Sequence, residues 1–186
     1  KIIEAFDKNI IIGVQTADIY RISKETKLKV YSQHTESFTM GKNTGFIIPE
    51  AIKENGAVGV FLNHSEHRVN FNVLKETINR CKKIKLKTAV FARDLNEAKK
   101  IEKLNPNHIV IEPPELVGGK VSVSSSRPEL IQRISKNLNT DFLVGAGIKT
   151  KEDVKRAVEL GASGVAISSA IADSPTPLKE LKEIFS

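Results

Sequence analysis

Short, nearly uninterrupted apolar runs alternate along the chain with longer stretches whose apolar residues recur every three or four positions. The runs are Ile10–Val14, Lys29–Ser32, Gly59–Leu62, Thr88–Phe91, His108–Ile111, Phe142–Val144 and Gly164–Ile167. Each is short, mostly rich in β-branched residues and apolar at adjacent positions, as in strands buried on both faces of a parallel sheet. The periodic stretches Val73–Lys83, Leu95–Leu104, Glu129–Leu138, Glu152–Leu160 and Leu178–Ile184 predict amphipathic helices. Punctuation agrees. Ser126 or Arg127 stands where a cap precedes Pro128 in a first turn, Thr150-Lys-Glu-Asp153 resembles a capping box, and Gly161 sits at a helix C-terminus.

Alternating βα units predict an α/β fold around a parallel sheet. Seven strands, with about as many helices and a helix-like opening at Lys1–Asp7, correspond to strands 2–8 of a TIM (β/α)8 barrel whose first strand is missing. A complete barrel typically needs about 250 residues, against 186 in this chain. The expected organisation is one domain, residues 1–186, incomplete at its N-terminus. The first residue is Lys rather than Met, which fits a chain whose beginning lies upstream. An open doubly wound sheet is the alternative. No G-x-G-x-x-G follows any strand, and Gly145-Ala-Gly147 lacks the third glycine of that fingerprint.

Composition narrows the function classes. Apolar residues make up 40 % of the chain, enough for a proper core, and no run approaches a membrane span. One cysteine, Cys81, excludes an internal disulfide framework, reads as filler on a helix face and suits a reducing, cytoplasmic setting. The formal charge is +7, but the lysines are scattered and aromatics make up 5 % of residues, so the charge reads as lysine-rich helix faces rather than a nucleic-acid surface.

In a βα barrel the chemistry sits at the carboxyl ends of the strands. Those ends carry Gln15-Thr16 with Asp18, Gln33-His34, Asn63 through Arg68, Arg93-Asp94, Glu112, Gly145-Ala-Gly147 and Ser168-Ser169-Ala170. Glu112 closes a buried strand and is followed by Pro113-Pro114, an apolar tip and Gly118-Gly119. The prolines stiffen the chain beside the acid and the glycines loosen its far end, so the stretch reads as a general base beneath a water-excluding lid. His64 is placed to donate to a substrate oxygen, while Ser65, Glu66 and Arg68 read equally as a capping network for the next helix. A metal site from His64, Glu66 and His67 fails because neighbouring loop residues splay and no matching ligand set appears elsewhere. Gly145, Gly147, Ser168 and Ser169, after the last two strands, suit close approach of backbone N–H groups to a phosphate. No nucleophile has an evident base beside it.

Several long motifs, in order, make the chain similar to the archaeal type of triosephosphate isomerase. They are Thr44-Gly45…Pro49, Leu62-Asn-His-Ser-Glu-His-Arg68, Ile111-Glu-Pro-Pro-Glu-Leu-Val-Gly118, Val121-Ser-Val-Ser…Arg127-Pro-Glu129 and Val144-Gly-Ala-Gly-Ile148…Glu152-Asp-Val154. The resemblance implies interconversion of dihydroxyacetone phosphate and D-glyceraldehyde 3-phosphate in glycolysis and gluconeogenesis. It implies His64 as a neutral electrophile, Glu112 as the base, Val117, Gly147, Ser168 and Ser169 as substrate-binding positions, and Ser65, Glu66, Gly118, Gly119 and Gly145 as support. No metal or organic cofactor is implied, the expected partner is a triose phosphate rather than nucleic acid or membrane, and the resemblance suggests a homo-oligomer, dimer or tetramer. The family's lid usually ends Gly-Thr-Gly where this chain has Gly118-Gly119-Lys120, and Ala170 stands where a glycine is common. The family's first-strand Asn and Lys would precede Lys1, so the 186 residues alone are expected to be a weak isomerase. The alternatives are another sugar-phosphate isomerase or epimerase, or a non-catalytic phosphate-binding remnant.

Overall fold

A computed structural model describes residues 2–119 and 121–185. Seven strands lie in one sheet in the order in which they occur along the chain, the strand order of a (β/α)8 barrel short of one strand. The chain divides at Val90–Phe91 into two compact units.

The first unit carries α1 (Ile2–Phe6), β1 (Ile11–Val14), α2 (Ile19–Glu25), β2 (Lys29–Ser32), α3 (Pro49–Glu54), β3 (Gly59–Leu62), α4 (Phe71–Lys83) and the greater part of β4 (Lys87–Ala92). The opening residues are helical as expected; Lys1 lies outside the described residues. All strand pairs here are parallel, with Ile11–Val14 against Lys29–Ser32, Tyr31 against Gly59, and Gly59–Leu62 against Lys87–Val90. Val30, Val60, Leu62 and Val90 are almost completely buried, together with Ile19, Ile52, Leu74 and Ile78 of the helices. Each such aliphatic side chain contributes about 1.5–3 kcal/mol. Tyr31 and Phe61 need small neighbours: a Cβ on Gly59 would lie 2.3 Å from the Tyr31 ring. Cys81 is fully buried on α4, and burial pushes its thiol up to about 12, so it is the inert filler expected of it.

The second unit begins at Phe91 and carries α5 (Leu95–Glu102), β5 (His108–Ile111), a 3-10 turn (Pro114–Leu116), α6 (Val123–Ser126), α7 (Pro128–Ser135), β6 (Phe142–Val144), α8 (Lys151–Glu159), β7 (Gly164–Val165), α9 (Ser169–Ala172) and α10 (Pro177–Phe185). β5, β6 and β7 are parallel, with Ile111 opposite Val144 and Val144 opposite Val165. Ile109, Ile111, Val144, Ala98, Ile101, Ile131, Ile134 and Ala157 fill its core.

Three elements end at least two residues before the sequence pattern predicts, α5 at Glu102 instead of Leu104 and then β7 and α7. β7 stops at Val165 instead of Ile167, because its neighbour β6 ends at Val144 and only Ala166 N–H still reaches a β6 carbonyl, that of Val144, at 2.8 Å. α7 ends at Ser135 instead of Leu138, where Asn137 folds back and its side chain donates to the Arg133 carbonyl at 2.9 Å. Arg127 is the N-cap of α7 with Pro128 at its first position, whereas Ser126 bonds the Ser122 carbonyl and caps nothing. The short helices α3, α6 and α9 carry too few turns to show a period in the sequence.

The capping box on α8 is present. Thr150 Oγ1 accepts Asp153 N–H at 3.1 Å, and Asp153 Oδ2 accepts Thr150 N–H at 3.0 Å. Asp153 also accepts from Lys149 N–H at 3.1 Å and from the Ser122 hydroxyl. Burial pushes this carboxyl up, but the hydrogen bonds from Ser122, Lys149 and Thr150 outweigh it and hold Asp153 below the usual carboxylate range. Thr150→Ala is expected to cost about 1 kcal/mol in denaturant unfolding; an unchanged midpoint would show the cap to be idle. Because the folded-state pKa of Asp153 is depressed, its contribution is present above the unfolded value of 3.8 and is lost as pH falls through the folded one. The stability gap between parent and Asp153→Asn should therefore be wide at pH 7 and shrink below pH 3.8, and a gap of constant size across that range would contradict the assignment.

Candidate functional site

The carboxyl ends of the strands collect the polar groups, and in the second unit three neighbouring ends contribute together. Glu112 follows β5, its N–H donating to the Ala92 carbonyl at 2.8 Å, and the residue is 7 % exposed. Gly145 follows β6, with its N–H on the Ile111 carbonyl at 2.8 Å. A Cβ there would come within 3.0 Å of Glu112 Oε1, so the glycine leaves room for the carboxylate. Ser168 and Ser169, both exposed, follow β7 at the start of α9.

The lid leaves Glu112 through Pro113 in an extended conformation and tightens into the 3-10 turn, where Leu116, Val117 and Gly119 N–H groups donate to Pro113, Pro114 and Leu116 carbonyls. Gly118 has φ +68°, a left-handed conformation favouring glycine. Lys120, the last position of the expected lid hinge, lies outside the described residues. Glu115 in the lid pairs with Arg127 at 2.7 Å. On the return, Val123 N–H donates to the Ala146 carbonyl at 3.1 Å, and Ser122 is held by Asp153. Gly147, at φ +70°, lies so close to this segment that a Cβ would sit 2.4 Å from the Val121 carbonyl oxygen. The lid's return and the β6–α8 loop are therefore one packed piece, with glycine demanded at their closest approach.

In the first unit, Asn63 turns the chain after β3 with φ +62°, its Oδ1 accepting Val69 N–H at 3.2 Å and its carbonyl accepting from Arg68 at 2.8 Å. This places His64 in a tight turn, closed by His67 N–H on the His64 carbonyl at 2.9 Å. Glu66 N–H points at His64 Nδ1 at 3.3 Å, and the Glu66 carboxylate lies 3.5 Å from the same nitrogen. The two contacts ask for opposite protonation of Nδ1. The backbone N–H is fixed by the turn, whereas the Glu66 side chain is 81 % exposed and solvated. In the backbone contact Nδ1 is the acceptor.

Sequence reasoning placed Glu112, Gly145, Gly147, Ser168, Ser169 and His64 at strand ends, and all lie there. Ser65 is half-buried and Glu66 exposed in the His64 turn; Val117 is half-buried in the lid, with Gly119 half-buried and Gly118 exposed. The sequence pattern shows Asp153 only as half of a helix cap. Its second role, on Ser122, spans 31 residues and leaves no local signal. The stack of the His34 ring on the His67 ring, centroids 4.0 Å apart, was equally invisible. Among the described residues, no three His, Cys, Asp or Glu side chains gather to hold a metal ion, and no helix is long and apolar enough to cross a membrane.

Comparison with known proteins bears on the whole chain. The family model described as triosephosphate isomerase matches residues 2–92, and the model described as histidine biosynthesis protein matches residues 117–186. The triosephosphate isomerase of Methanobacterium bryantii is 38 % identical over 183 residues, 96 % of this chain and 81 % of the relative. That of Sulfurisphaera tokodaii is 38 % identical over 100 % of this chain and 82 % of the relative, and that of Methanocaldococcus jannaschii 37 % over 96 % and 85 %. Identity at this level, running from end to end through both units, shows that the chain belongs to the triosephosphate isomerase family.

Proposed function

We propose that this chain is a triosephosphate isomerase that interconverts dihydroxyacetone phosphate and D-glyceraldehyde 3-phosphate through an enediolate, using Glu112 as base and His64 as electrophile. The observation that carries the reading is Glu112 itself, a carboxylate buried at a strand end and followed at once by a proline-stiffened loop. Its carboxylate takes the proton from the carbon next to the carbonyl and returns it to the adjacent carbon. The neutral His64 ring donates from Nε2 to the carbonyl oxygen, where negative charge develops. Backbone N–H groups at Gly147, Ser168 and Ser169 hold the phosphate, and small side chains there let it approach. Val117 and the lid glycines close over the substrate and keep water from the enediolate; lid closure in this family is a standard example of such gating. Ser65, Glu66 and Gly145 support the two acting groups.

The histidine-biosynthesis match covers residues 117–186 and includes neither His64 nor Glu112. It bears on the lid and the small-residue loops, and lends no support to a different sugar-phosphate chemistry. We place the reaction in glycolysis and gluconeogenesis in the cytoplasm; the one cysteine is buried and makes no demand for oxidising conditions.

A homo-oligomer is part of the same reading. The long β2–α3 connection exposes Met40 (70 %) and Phe46 (54 %), with Phe38 and Phe46 packed edge to face at 4.7 Å. A preformed apolar knob of this kind suits burial against a second copy.

In the protein that carries these residues, Glu112→Asp should fold normally but lose about 100-fold or more in kcat, since the base retreats by one methylene. His64→Gln should lose about 100-fold through the missing donor. A coupled assay with both triose phosphates checks this, and wild-type turnover in either variant would remove the assigned role. Met40→Asp combined with Phe46→Asp should reduce the mass measured by light scattering to that of one chain; an unaltered mass would place the oligomer contact elsewhere.

A further inference from the structure

The turn that orients His64 has an aromatic brace outside the reacting groups. His67 closes that turn through its N–H on the His64 carbonyl at 2.9 Å. Its ring lies nearly parallel to the His34 ring, 19° between planes and 4.0 Å between centroids. His34 is itself anchored at the end of β2, where the Ser32 hydroxyl donates to its carbonyl at 2.8 Å. Its side chain is only 13 % exposed, with Glu36 Oε1 at 3.5 Å from Nε2. Glu36 is held in turn by Ile47 N–H at 2.7 Å. On the turn's own side, Glu66 points its carboxylate at His64, and Arg68 is engaged on the Asn63 carbonyl.

We propose that the stacked His34–His67 pair is a positioning element for His64, bracing its turn while His34 is neutral and releasing it when His34 takes a proton. The proposal rests on the isomerase reading given above. Two imidazoles in face-to-face contact tolerate one another as neutral rings. A proton on His34 puts positive charge in a mostly enclosed site against the second ring, and Glu36 is the carboxylate that opposes this. The balance favours the neutral form: burial and the neighbouring His67 pull the His34 pKa below its ordinary value, against the pull of Glu36. Loss of the stack frees His67, and with it the turn whose Glu66 N–H donates to His64 Nδ1. His67 touches no reacting atom on this view and acts only through His64.

The test compares the pH profile of kcat for the parent, His67→Ala and His67→Phe in the intact protein, alongside an NMR titration of the imidazole resonances. His67→Ala is expected to lower kcat with KM nearly unchanged. His67→Phe, which restores an aromatic face without a titrating nitrogen, should recover most of that loss at pH 8. The parent should show an acid inflection in kcat below pH 6.5, matched by a His34 titration below that ordinary value. In His67→Phe, which removes the charge repulsion from the second imidazole, that inflection should be displaced to higher pH along with the His34 titration. An identical acid limb in parent and His67→Phe, or a parent His34 titrating at the ordinary value, overturns the proposal. A parent without triose phosphate turnover, or an unimpaired His64→Gln, instead overturns the isomerase reading, while the NMR arm still judges the stack by itself.

Discussion

The hydrogen-bond ladder between parallel strands carries past the end of each strand, and the placement of the chemistry depends on that overrun. The residue just after a strand donates its N–H to the strand before it: Gln33 to Val14, Glu112 to Ala92, Gly145 to Ile111 and Ala166 to Val144, all at 2.8–3.1 Å. Strands buried on both faces leave little place for polar side chains along their length, and only small hydroxyls such as Ser32 and Thr88 are buried there. The first polar group with an exit is the one at the carboxyl end, and its backbone is still held by the sheet. Glu112 is thus a loop residue by its side chain and a strand residue by its main chain, which fixes its carboxylate more accurately than a free loop could.

The second unit extends that rigidity into the lid. Asp153 accepts from Ser122 on the lid's return and from the main chain at Lys149 and Thr150, so one carboxylate both caps α8 and pins the segment where the lid rejoins the body. Gly147 is the steric counterpart of this joint, since no side chain fits between it and Val121. Glu115 and Arg127 add an exposed ion pair, worth little in stability. Gly118, in a left-handed conformation, lies between an entry stiffened by Pro113-Pro114 and a bonded exit.

Orientation of His64 follows a different logic. A left-handed Asn63 and a closed turn place it, with the Glu66 N–H donating to Nδ1. Such a turn holds only as well as its surroundings, and the His34–His67 contact supplies an aromatic surface against which it rests.

Much of this was legible in the chain itself. Apolar runs located all seven strands, because burial on both faces is a property of local composition, and strand starts such as Lys29, Gly59, His108 and Phe142 fall where the pattern begins. The positions of Glu112, directly after its run, and of His64, one residue beyond Asn63, were legible because polar groups mark where such runs stop. The end of β7 was not legible, since a strand stops where its neighbour stops. Nor were Asp153 on Ser122, the stack of His34 on His67, or the demand for glycine at position 147. Sequence by itself determined where the buried strands run, where polar groups follow them and the family to which the chain belongs, because those follow from local polarity and motif order. Tertiary structure alone decided which distant polar groups meet, how the Glu112 loop is tied down and which backbone N–H faces His64 Nδ1, because hydrogen bonds and ring contacts depend on distances that only folding sets.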